Sequence, residues 1–354
     1  MLNLKISIGT NTKEGPWGGG NLFAINLKKY LEENGHQVIN NLDDNDIDLI
    51  LITEPRKTSE SSAFTHVDVE NYLKFINKNA LVVHRINECD ERKNTNYVNK
   101  YLIEANKIAD STVFVSTWIK ELYLEQGLNC QNVNVILAGA DSKIFNNKYQ
   151  SIWKKGEKIK IATHHWGANW NKGFEIYSRI DKLLEDKLWN DRIEFSYIGN
   201  LPPNFTFKNS KHVPPISGFE LSSKLKEHHV YITGSLNEPS GNHHIEASQC
   251  GLPVMFLDSG GVKEYCEDYG LEYNYENFEE KLIYFIENYN NFLNKMSYYP
   301  FNSNLMCKQY LLLFEYLINN KKEFLNLRTI KNSNIFQKKL FFINKNLKKF
   351  IIPK

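Results

Sequence analysis

The chain has 354 residues, with 43 Lys and Arg against 41 Asp and Glu, a formal net charge of +2, 42% hydrophobic and 24% charged residues. That length accommodates two domains, each burying its own core, and the composition excludes a disordered, collagenous or strongly nucleic-acid-binding chain. Five scattered cysteines without a Cys-x-x-Cys pair point to reduced thiols rather than a disulfide frame or zinc site, so a cytoplasmic protein is expected.

The first expected strand, Leu4 to Ile8, follows directly on the N-terminus. No apolar run approaches the ~20 residues that span a bilayer, so neither an export signal nor a membrane span is expected. The loop Gly15-Pro-Trp-Gly18-Gly19-Gly20 then leads to a helix for which Asn21 is the expected N-cap. Its glycines would permit close backbone approach to a phosphate or sugar. Strands near Leu49 to Thr53 and Leu81 to His84, a helix over Asn96 to Ala109, a strand from Thr112 to Ser116 and an apolar run from Val133 to Leu137 continue the alternation. Such alternation is the pattern of a doubly wound α/β domain, here residues 1–150. The acidic run from Asp43 to Asp48 reads as solvated surface.

Residues 146–158 are polar and lack periodicity, and serve as the expected linker. The pattern restarts with Lys158 to Thr163, a helix over Phe174 to Leu188, a strand from Ile193 to Ile198, a helix over Glu220 to Lys226 and a strand from Val230 to Thr233. Residues 151–320 are therefore expected to form a second α/β domain. Ligands of open α/β sheets bind beyond the strand carboxyl ends, which places a site in the cleft between the two.

The densest chemistry follows the Val230 strand. Glu238-Pro-Ser-Gly241-Asn242-His243-His244-Ile-Glu246 enters an expected helix from Ile245 to Cys250, stopped by Gly251, and Ser259-Gly-Gly-Val-Lys-Glu264 lies beyond the next strand. A loop passing from a strand end into a helix presents free N–H groups and the positive end of the helix dipole, which suit a diphosphate. Two carboxylates, one in the loop and one in the first turns of the helix, can then accept hydrogen bonds from hexose and ribose hydroxyls on either side of it. His243 and His244 are sequence neighbours and would point to different helix faces, so joint metal ligation is not expected. They read instead as donors to phosphate or sugar.

These features resemble the retaining glycosyltransferases of glycosyltransferase family 4, marked by two glutamates separated by seven residues, a Gly-Leu-Pro-Val-like strand and a Gly-Gly-x-x-Glu turn. The resemblance covers residues 4 to 318. It implies a GT-B fold, two doubly wound Rossmann-like domains facing across a cleft, with the acceptor on residues 1–150 and a nucleotide diphosphate sugar on residues 151–320. Glu238 would contact the donor sugar, Glu246 the ribose, and Lys172 of Lys172-Gly173 would neutralise the phosphates. Gly18 to Gly20 would lie over the diphosphate, with Gly241, Asn242, His243 and Glu264 completing the donor pocket. His84, in Val82-Val-His-Arg85, would face the reacting sugar. Relatives carry an arginine five residues before the lysine, where this chain has Gly167. A histidine of the preceding His164-His165 pair, Asn169 or Arg85 is expected to substitute, or the donor is held differently, or activity is reduced.

The implied reaction moves a hexose with retention to a glycan or lipid-linked glycan. The leaving phosphate helps to deprotonate the acceptor, and neither metal nor cofactor is required. A silent sugar-nucleotide-binding module and a sugar-nucleotide epimerase are the alternatives. The segment 321–354 is expected to be a basic helix and tail. Arg328 to Lys354 carries eight Lys or Arg and no acidic residue, which suits either peripheral contact with the inner face of an anionic membrane or packing back on the first domain.

Overall fold

The computed structural model describes residues 3–15, 17–130, 132–328 and 341–343. The first domain runs β1 (Lys5–Ile8), α1 (Gly19–Glu33), β2 (Gln37–Ile39), β3 (Leu49–Ile52), α2 (His66–Phe75), β4 (Leu81–Ile86), α3 (Asp90–Lys93), α4 (Val98–Asn106), β5 (Ser111–Phe114), α5 (Thr117–Glu125) and β6 (Val133–Val135). Its strands form one parallel six-stranded sheet in the order β2-β1-β3-β4-β5-β6. The second domain runs β7 (Ile159–His165), α6 (Phe174–Leu183), α7 (Lys187–Asn190), β8 (Ile193–Gly199), β9 (Lys211–Val213), α8 (Gly218–Lys226), β10 (Val230–Thr233), α9 (Asn242–Gln249), β11 (Val254–Leu257), α10 (Val262–Cys266), β12 (Gly270–Tyr273), α11 (Phe278–Glu287) and α12 (Tyr289–Lys295). These strands form a second parallel sheet, ordered β12-β11-β10-β7-β8-β9. Two such sheets with helices on both faces are the GT-B architecture.

The strand sequences explain why both sheets are sandwiched. Leu49–Ile52 reads Leu-Ile-Leu-Ile and every residue is buried, as is every residue of β4, β10 and β11. Continuous apolar runs of this kind need cover on both faces, and only crossover helices supply it in a parallel sheet. The helices meet them with one apolar stripe, such as Phe23, Ala24, Leu27 and Leu31 of α1.

Two helices follow, α13 (Ser303–Asn319) and α14 (Lys321–Leu327). Although α13 lies within the segment expected to form the second domain, its buried face of Met306, Cys307, Tyr310, Leu313, Phe314 and Leu317 shares a core with Phe23, Leu27, Leu31 and Leu51 of the first. The stripe is visible in sequence, whereas the sheet it covers is not. Arg328 anchors the crossing by pairing with Asp110 and donating to the carbonyls of Lys78 (2.9 Å) and Ala80 (2.8 Å). Most of the basic segment beyond it lies outside the described residues. Among the described residues no helix is long and apolar enough to cross a membrane.

One expected cap is corrected. Helix α1 starts from Gly18, and Asn21 lies inside it. The Asn21 amide instead grips the preceding loop, accepting from Lys13 N and donating to Lys13 O, both at 2.8 Å. The helix consequently begins without a side-chain cap.

Candidate functional site

In the second sheet, β7 and β10 are hydrogen-bonded neighbours at the point where strand order reverses. The crevice beyond such a switch point is where open α/β sheets bind ligands. Lys172 and Glu238 lie on the two loops that leave these strands. Gly173 holds φ at +99°, and a Cβ there would lie 2.6 Å from the Gly234 carbonyl carbon. Only glycine allows the two loops to pack backbone on backbone. That packing presents the Lys172 ammonium to Glu238, Nζ to Oε2 at 2.6 Å, with both residues at least nine-tenths buried. The Glu238 carbonyl accepts from Gly261 N at 2.9 Å, which ties the loop to the turn after β11.

A second cation comes from the other domain. Arg92, on α3, places Nε 3.1 Å from Glu238 Oε1, while its Nη1 donates to both oxygens of Glu88 at 3.0 and 3.1 Å. Burial opposes ionisation of Glu238, but Arg92 and Lys172 outweigh it and hold the carboxyl well below the usual carboxylate range. Burial lowers the Lys172 ammonium, with Glu238 pulling the other way. Lys172, Glu238 and Arg92 thus form one cluster spanning the cleft.

Glu246, in the second turn of α9, is hydrogen-bonded through Oε2 to His164 Nε2 at 2.9 Å. Between the two glutamates lies the start of α9, whose N-cap Gly241 makes no side-chain capping bond and whose first turn has no acidic residue. The same holds for α1, which starts from Gly18. The two helix starts meet across the cleft: a Cβ on Gly19 would lie 3.0 Å from the Asn242 side chain. Uncapped N-termini with their dipoles converging form an environment that favours an anion. Gly20 follows in the first turn of α1.

The remaining expected residues are placed as follows. His165 turns away from Glu246, its Nε2 on the Tyr177 hydroxyl at 2.7 Å and its ring 4.4 Å from that of His243. Consecutive residues of a strand face opposite ways, so His164 rather than His165 reaches α9. His243 bonds Thr233 Oγ1 at 2.9 Å, and His244 lies against Cys266 and Tyr265. Burial pushes His165 and His243 well below the ordinary value and His244 down to about 4. His84 is fully buried against Asn106 (2.9 Å) and is held neutral, pushed by burial down to about 4. Arg85 is 5% exposed, its guanidinium 4.0 Å over the Phe23 ring beside Tyr310 and Tyr265, and burial lowers it. Glu264 is committed elsewhere. Its two oxygens accept from Thr117 N (2.8 Å) and Trp118 N (3.0 Å), capping α5 of the opposite domain. Arg92, which no sequence signal distinguished in Glu88-Cys-Asp-Glu-Arg-Lys93, is the side chain that reaches Glu238 from the first domain. A cavity of about 300 Å³ is lined by Thr117, Leu137, Ala138, Glu264, Met306 and Gln309, and neither Glu238 nor Glu246 is among its lining residues.

The strand-loop-helix unit that carries both glutamates falls within a stretch matching a known family. Residues 208–302 match the glycosyl transferases group 1 family. Across 169 residues the chain is 28% identical to the sulfoquinovosyl transferase SQD2 of Arabidopsis thaliana, a match spanning 45% of this chain and 32% of that relative, about a third of its length. Solved structures with this fold include a Rickettsia africae glycosyltransferase (14% identity, TM-score 0.65, 90% of this chain and 100% of that one). HepE of Anabaena, in complex with UDP and glucose, gives 15%, 0.64, 89% and 100%. The sucrose-phosphate synthase of Thermosynechococcus elongatus gives 12%, 0.62, 90% and 100%.

Proposed function

We propose that this chain is a retaining glycosyltransferase that moves a hexose from a nucleotide diphosphate sugar to a glycan or lipid-linked glycan acceptor, without a metal, in cell-surface polysaccharide synthesis. The observation that carries the reading is the disposition of Glu238 and Glu246 around one uncapped helix start, with a lysine on the first and a histidine on the second. The donor diphosphate would take the helix start and the Lys172 ammonium, Glu238 the sugar hydroxyls and Glu246 the ribose. Positive charge at that point stabilises the leaving nucleoside diphosphate as the glycosidic bond lengthens. The similarly folded HepE of Anabaena, solved in complex with UDP and glucose and with UDP-glucose, supports a nucleotide-sugar donor. Burial of His84 within β4 against Asn106 agrees with a reaction in which the leaving phosphate, not a protein base, receives the acceptor proton.

The test is a thermal-shift and calorimetric screen against nucleotide sugars. Glu246→Ala should weaken binding of the donor by about tenfold to a hundredfold, the equivalent of one charge-assisted hydrogen bond; unaltered affinity would overturn the assignment. Gly167, where relatives carry arginine, favours one second reading, a binding module without turnover. Transfer to acceptor by the wild-type chain rejects it, while donor binding without turnover selects it.

A further inference from the structure

Arg92 belongs to the first domain, yet its surroundings are built by the second. Asn171 Nδ2 donates to the Arg92 carbonyl and Asn237 Nδ2 to the Glu91 carbonyl, each at 3.3 Å. These two asparagines directly precede Lys172 and Glu238. The loops that aim the lysine and the glutamate therefore also grip α3, and the three charged groups take their places together only when the domains meet.

The guanidinium is incompletely used. Nη1 is spent on Glu88, but Nε, buried and 3.1 Å from Glu238, has no aligned acceptor. A fork with a donor to spare beside an ammonium, both on the same carboxylate, is an arrangement suited to phosphate. Besides Lys172, the second domain leaves room for a further cation at Gly167 and supplies none there: a Cβ on Gly167 would sit 3.4 Å from Lys172 Cε, in ordinary contact.

We infer that Arg92 is a donor-binding residue delivered across the cleft, pairing with the diphosphate alongside Lys172, so that the pocket acquires its full positive charge only on domain closure. This rests on the reading of the pocket as a nucleotide-sugar site. Glu238 is then released from Arg92 to the sugar hydroxyls as the anion enters.

The experiment titrates the wild type, Arg92→Met and Arg92→Lys with UDP, GDP, ADP and dTDP, and with the monophosphate of whichever nucleotide binds. Arg92→Met leaves Glu88 its partner Lys93 at 3.0 Å and Glu238 its partner Lys172, so neither carboxylate is stranded. Its affinity for the diphosphate should fall about tenfold or more while that for the monophosphate stays within about twofold. Adding Gly167→Arg to Arg92→Met should restore most of the loss. Unchanged diphosphate affinity, or equal losses for both nucleotides, overturns the inference, because a merely structural clamp acts on every ligand alike. If Arg92→Met does not fold, Arg92→Lys, which keeps the charge and loses the fork, is judged by the same criteria. A wild type that binds none of the four diphosphates overturns the reading of the pocket and the inference with it.

Discussion

At the scale of single residues, the position of Glu238 depends on a residue with no side chain. Gly260 has φ +75°, and a Cβ on it would fall 2.4 Å from the Glu238 carbonyl oxygen and 2.5 Å from its nitrogen. Gly260→Ala should therefore cost roughly 1–2 kcal/mol for the left-handed conformation alone, and more for the displaced Glu238 loop. A drop in the urea midpoint together with weakened donor binding would be the result, and a variant that matches wild type in both would contradict this account. The sequence shows Gly-Gly as a turn, and Glu238 as its neighbour across a strand only by resemblance. Arg92 was illegible for a plain reason. It sits in a four-residue helix among other charges, and its partner Glu238 lies 146 positions further along the chain.

At the scale of elements, the strands β7 and β10 were legible, because apolar runs bounded by glycine and polar loops mark strand ends, whereas their adjacency at the switch point is a matter of tertiary pairing. The helix that carries Glu246 began three residues earlier than expected, at Asn242. Left-handed Gly241 ends the loop, and helical geometry can start directly after it. The placement of α13 was not legible, since an apolar stripe has no address. Phe314 is fully buried in the core shared with α1 and β1. Phe314→Ala should cost roughly 3–5 kcal/mol, and the loss should be local. Hydrogen exchange would show protection falling in β1 and β3 while β10 and β11 keep theirs; the reverse distribution would place α13 with the second domain. Glu264 teaches the same lesson, for a carboxylate that the motif assigns to a ligand spends both oxygens on the start of α5.

At the scale of the whole molecule, burial of neutral histidines makes acid a denaturant. His84, His229 and His244 are pushed by burial from the ordinary value of 6.5 to about 4. The unfolded chain takes up these protons below about pH 6.5 and the folded one does not, so their contribution is present above that pH and disappears as pH falls towards 4. Glu238, held low by Arg92 and Lys172 against the cost of its burial, loses its share at still lower pH. The melting temperature should decline across that window, with each histidine responsible for a loss on the order of a few kcal/mol. His84→Gln should show a shallower decline than wild type, whereas parallel curves would assign the acid sensitivity to other groups.

Local patterns in the chain determined the two α/β halves, the order of their strands and loops, and the carboxylates on either side of one helix start, because periodicity, turn residues and short-range spacing are properties of neighbouring residues. Only the tertiary structure decided that α13 returns to the first sheet, that His164 rather than His165 meets Glu246, and that Arg92 crosses the cleft to Glu238. Each of these is a meeting of groups remote in sequence, fixed by which faces pack together once both sheets are covered, and no local propensity encodes that choice.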